Sequence, residues 1–161
     1  MLTEDDRERM QMIRMLEQDL AYERGRYYSF ENDINQLIDD YNKYVVAMEN
    51  IEIVKGDIRS GQGDVYSGGN KLGKYAGGNK YEESYRLILS VSQMFESTLR
   101  GADSIETIIT SDVEKLNEEY KEAYRNYVSI IAEHNEVAYE INSLGGSAKI
   151  LEDSYCKSSL L

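Results

Sequence analysis

Apolar residues recur at alternating spacings of three and four along two long stretches of this chain, and a glycine-rich segment separates the two. The first stretch runs Ile13, Leu16, Leu20, Tyr27, Phe30, Ile34, Leu37, Tyr41, Tyr44, Met48, Ile51 and Ile58, with Glu23 and Lys55 as polar exceptions. The second runs from Tyr85 through Ile88, Phe95, Leu99, Ile109, Leu116, Tyr127, Ile130 and Ile141 to Leu144, with Ser92, Glu106 and His134 interrupting it. This spacing tracks the 3.6-residue period of an α-helix and predicts one apolar stripe on each of two helices. Residues 61–78 hold seven glycines in eighteen positions, which gives the backbone the freedom a tight reversal needs. The expected fold is all-α: an antiparallel helical hairpin with a helix over about 3–58, a turn over about 59–78 and a helix over about 79–144. A short flexible C-terminal tail, 147–161, follows the stop signal Gly145-Gly146 and is expected to be frayed or ordered only by a partner.

Composition agrees with long helices, since the chain has no proline and is rich in good helix formers. Fourteen tyrosines against two phenylalanines and no tryptophan supply the aromatic mass, and their hydroxyls favour half-wet seams and interfaces. The net charge of -12 argues against nucleic-acid binding, which requires a basic footprint. No run approaches the roughly twenty apolar residues of a membrane-spanning helix, and the acidic start Met1-Leu2-Thr3-Glu4-Asp5-Asp6 does not look like a cleavable signal. The expectation is a protein made in the cytosol, with no membrane insertion. Cys156 is the one cysteine, so it has no partner for an internal disulfide.

A third apolar column lies beside the seam: Ile38 and Val45 on the first helix, and Leu89, Tyr124 and Ile131 on the second, with Val46, Ile53, Val54, Ile105 and Ile108 further out. Two helices cover one flank of such a widened stripe, so the column predicts a partner helix, either from another helical protein or from a second copy of the chain. Ile38, Val45, Leu89, Tyr124 and Ile131 are the expected partner-binding residues.

Motifs for chemistry are scarce. His134 has Ile130 four residues before it and Ala138 four residues after it, which is not a metal-ligand pattern; a polar layer fixing the seam register is the favoured role. Neighbouring acids such as Glu118-Glu119 diverge by about 100° on a helix. Gly61-Gln62-Gly63-Asp64 lacks the Lys-Ser/Thr ending of a phosphate loop. No enzyme activity, metal or cofactor is expected.

Tyr75-Ala76-Gly77, followed by Tyr81 or Tyr85 at the start of the second helix, with Tyr66-Ser67-Gly68 as an alternative placement, resembles the Trp-x-Gly turn of the WXG family of helical-hairpin proteins, in particular the longer members encoded beside LXG toxins and handled by type VII secretion systems of Gram-positive bacteria. The resemblance implies a turn motif at Tyr75, Gly77 and Tyr81. It also implies an adaptor function: binding the helical N-terminal domain of an LXG toxin, or a second small helical partner, and travelling with it to the secretion machine. The family's Tyr-x-x-x-Asp/Glu export signal has no match after the second helix here, which fits a partner that rides with a protein bearing one. The alternative is a homo-oligomeric coiled-coil scaffold.

Overall fold

A computed structural model describes residues 1–75, 79–155 and 157–161, and the side chains of all of these except 72–75 and 79–81. The chain forms two helices, α1 (Glu4–Tyr75) and α2 (Asn79–Ser143). Their cross-helix pairs descend on α2 as they climb on α1, as antiparallel packing requires: Arg26 meets Glu133, Lys55 meets Glu106, and Gly69 faces Ile88. Among the described residues there is no strand.

The expected turn over 59–78 is corrected. Helix α1 continues through Gly61, Gly63, Gly68, Gly69 and Gly73 to Tyr75. With no proline to remove a backbone donor, each glycine weakens the helix by only about 1 kcal/mol relative to alanine. What one of these glycines supplies is access. A Cβ at Gly69 would collide with the Ile88 side chain, whereas one at Gly61 would make ordinary contact with the Phe95 ring at 3.6 Å. Gly69 therefore lets an α2 side chain rest on the α1 backbone. Gly77 lies outside the described residues, as do the side chains of Tyr75 and Tyr81.

Two compact units make up the chain, Met1–Tyr41 with Lys115–Leu161, and Asn42–Glu114. The first, unit 1, holds both clusters of buried apolar side chains. Tyr27, Ile34, Tyr120, Tyr127 and Ile130 form one, and Leu20, Ala138 and Ile141 the other. Helix α1 opens there with a reciprocal cap: the Asp6 amide donates to the Thr3 hydroxyl at 3.2 Å, and the Thr3 amide donates to the Asp6 carboxylate at 3.1 Å. These bonds hold the Asp6 carboxyl below the usual carboxylate range.

Helix α2 ends in a Schellman turn, in which the Gly146 amide donates to the Ile141 carbonyl at 2.9 Å and the Gly145 amide to the Asn142 carbonyl at 3.2 Å. Gly145 has φ of 90°, and a Cβ at Gly146 would stand 2.6 Å from the Ile141 side chain. Both positions demand glycine. The turn sends the tail back along α2, where Leu151, Tyr155 and Leu160 pack onto the first cluster and Ala148 and Ile150 onto the second. The tail expected to be flexible is thus docked as a third layer of unit 1. Cys156 lies outside the described residues.

Unit 2, Asn42–Glu114, is built differently. Its buried side chains among the described residues are Lys55 and Ser92, both polar, and no apolar side chain is fully enclosed.

Two glycine substitutions separate these roles. Gly25→Ala should stabilise the protein by about 1 kcal/mol, because a Cβ there meets nothing within 4 Å. Gly145→Ala should destabilise it by about 1 kcal/mol, because it forces a side chain into the left-handed region. Urea unfolding of both variants, with helicity as the signal, checks the two signs.

Candidate partner-binding site

In unit 2 the two helices meet along Ile51, Lys55 and Ile58 of α1 and Leu99, Ala102, Glu106 and Ile109 of α2, all buried or half-buried. Lys55 anchors this seam. Its ammonium lies 2.7 Å from Asp103 and 2.9 Å from Glu106, with Glu52 at 3.7 Å. Hydrogen bonding to Asp103 and then to Glu106 raises its pKa further above the ordinary lysine value. The side chain therefore stays charged, and its ion pairs fix which residues of the two helices stand opposite each other.

One residue before each seam position, α2 carries a second apolar column in the same three-four rhythm: Leu87, Val91, Met94, Thr98, Gly101, Ile105 and Ile108. This column is largely uncovered, with Met94 67% exposed, Ile108 61% and Ile105 52%. Its hydroxyl is already satisfied, because Thr98 donates to the Met94 carbonyl at 2.9 Å, as Ser104, Thr107 and Thr110 do to their own preceding turns. Val54 occupies the matching column on α1. Between the helices Ile51, Val54, Gly101, Ala102 and Ile105 line an open groove of about 420 Å³. Gly101 has nothing within 4 Å of its missing Cβ, so a ridge from another helix can approach the α2 backbone closely at that point.

The expected partner-binding residues separate into two groups. Ile38, Tyr124 and Ile131 belong to unit 1, where they pack on the same cluster as Leu151, Tyr155 and Leu160 of the tail. All three are half-buried, and Tyr124 also donates to the Tyr155 carbonyl of the tail at 3.3 Å. Val45 and Leu89 belong to unit 2; Val45 is half-buried and Leu89 is exposed. They stand one residue after the seam, on the opposite flank from the groove.

The column covered by the tail also contains polar side chains. Asn117, Asn135 and Asn142 occupy the same column as Tyr124 and Ile131, and all three bond to the tail. Four tyrosines join them. Tyr127 donates to the Tyr27 hydroxyl at 3.3 Å and accepts from the Ser154 amide at 3.2 Å. Tyr120 donates to the Lys157 carbonyl at 2.8 Å, and Tyr155 donates to the Asn35 side chain at 2.7 Å. Burial, and then the charge of Glu31, pushes the Tyr155 phenol up to about 12. Burial likewise raises the Tyr27 and Tyr120 phenols.

His134 is fully buried in the unit 1 seam, with Nδ1 3.3 Å from the Asn135 side-chain oxygen and Nε2 without a hydrogen-bond partner. Among the described residues no three His, Cys, Asp or Glu side chains converge as metal ligands, and no helix is long and apolar enough to cross a membrane.

The tyrosine cluster makes tail docking sensitive to alkali. A phenol that titrates at about 12 when docked and near 10 when free stabilises the docked state fully below pH 10, and that contribution is lost as pH rises from 10 to about 12. Unfolding free energy measured in urea at pH 8, 10 and 11 should fall over the upper interval. Tyr155→Phe should cost about 1 kcal/mol at pH 8 and flatten that fall.

Comparison with protein-family models, curated proteins and solved structures finds no match to this chain.

Proposed function

We propose that this protein is a non-enzymatic adaptor that binds the elongated helical N-terminal domain of an LXG-type toxin and accompanies it to a type VII secretion system. The observation behind this proposal is the uncovered apolar column of unit 2. A hairpin segment that encloses no apolar side chain among its described residues gains most from a further helix laid along its groove, since burial contributes about 25 cal/mol per Å² of apolar surface. Val54, Gly101 and Ile105 mark where that helix docks, and Val45 and Leu89 border the opposite flank. A net charge of -12 sets a second copy of the chain at an electrostatic disadvantage against a partner carrying basic flanks. The hairpin form and the Tyr75-Ala76-Gly77 segment supply the link to the WXG-like proteins. Synthesis in the cytosol and export alongside the toxin follow from the same proposal.

Co-expression with the N-terminal domain of an LXG toxin encoded beside this protein should yield a complex that survives gel filtration. Val54→Asp with Ile105→Asp should weaken it at least a hundredfold by isothermal titration while leaving helicity unchanged. Ile38→Asp should act mainly on stability. A chain that never co-purifies with the toxin domain, and that forms discrete oligomers by light scattering, would favour the homo-oligomeric scaffold instead.

A further inference from the structure

The tail is held chiefly by its main chain. Asn142 takes both backbone groups of Ala148: its side-chain oxygen accepts from the Ala148 amide at 2.7 Å, and its side-chain nitrogen donates to the Ala148 carbonyl at 3.1 Å. Asn135 does the same for Leu151, at 2.8 Å in both directions. Asn117 accepts from the Leu160 amide at 2.8 Å, and Tyr127, Tyr124 and Tyr120 engage the Ser154 amide and the Tyr155 and Lys157 carbonyls. Asn135 and Asn142 thus act towards the tail as a neighbouring strand would.

The spacing is set by two rises. Seven helical residues, Asn135 to Asn142, advance about 10.5 Å, and three extended residues, Ala148 to Leu151, advance about 10 Å. The face therefore fits an extended backbone from Ala148 to Leu151, and Asn117 takes up the chain again at Leu160. Specificity beyond the backbone comes from apolar side chains, Leu151, Tyr155 and Leu160 seated on the first cluster and Ala148 and Ile150 on the second. The tail is formally neutral, Lys149 and Lys157 balancing Glu152 and Asp153.

We propose that the α2 face bearing Asn117, Tyr124, Asn135 and Asn142 is a receptor surface for an extended polypeptide, and that the tail occupies it as a displaceable resident. The incoming occupant is an extended segment of another protein, without net negative charge, carrying apolar residues at the four-then-five spacing of Leu151, Tyr155 and Leu160. Main-chain recognition makes the exchange feasible, because any extended segment presents the same amides and carbonyls. The resident opposes exchange through its tether, which holds it at an effective concentration on the order of millimolar. The inference is independent of the toxin-adaptor proposal, which concerns the groove of unit 2.

The test uses the full chain with its tail disabled by Leu151→Asp, Tyr155→Asp and Leu160→Asp, and a fluorescent peptide of sequence 147–161 as the probe, in reducing buffer. Fluorescence anisotropy should show saturable binding to the tail-disabled chain, at least tenfold tighter than to the wild-type chain. Adding Asn135→Leu and Asn142→Leu should weaken that binding at least tenfold. Absence of saturable binding to a tail-disabled chain of wild-type helicity, or binding indifferent to the asparagine changes, overturns the proposal. Should the tail-disabled chain fail to fold, hydrogen exchange on the wild-type protein decides. The Ala148, Leu151 and Leu160 amides should exchange at least tenfold faster than those of α2 around Tyr127 and Ile130, and equal rates would mean that the tail leaves only on global unfolding.

Discussion

A helix that is apolar on more than one flank cannot be satisfied by a single neighbour, and the two units of this chain answer that constraint differently. In unit 1 the tail packs onto the same apolar clusters as α1 and α2, and the eight buried apolar side chains among the described residues all lie there. In unit 2 the same two helices meet along a seam whose buried members among the described residues are a lysine and a serine. The hydrophobic effect that closes the first leaves the second with apolar surface in water, and the fold determines where a partner gains most.

Polar residues in the seams do different work in the two halves. Lys55, between Asp103 and Glu106, gives unit 2 a directional tie where dispersion contacts are few. Ion pairs of this kind contribute less to net stability than to fixing which residues stand opposite each other. In unit 1 the tyrosines Tyr27 and Tyr127 combine ring packing at 5.3 Å with a hydrogen bond between their hydroxyls. They bury large surfaces without stranding a donor. His134, with one unpartnered nitrogen inside the same seam, breaks that pattern.

The helices were legible in the three-four rhythm, because periodicity reports directly on which side chains share a face. The end of α1 was not, since glycine serves both reversals and close approach, and composition cannot separate the two; only the pairing of Gly69 with Ile88 does. The docked tail left a signal that hydrophobicity alone passes over. Asn117, Asn135 and Asn142 fall in one helical column with Tyr124 and Ile131, and asparagines interleaved with apolar residues are suited to receiving a backbone. The unit 2 groove was half visible: Val54, Ile105 and Ile108 stood out individually, while the column through Leu87, Met94 and Gly101 required counting one residue back from the seam.

The Schellman turn at Gly145-Gly146 pins one end of the tail, and Asn142, Asn135 and Asn117 hold it in turn from there to Leu160. A pull applied beyond Leu160 and away from the helix surface therefore loads the contacts in series, beginning at Asn117 and arriving last at Asn142, so that the strap peels instead of shearing. Peeling breaks one or two bonds at a time and needs little force, whereas shear would load them all together.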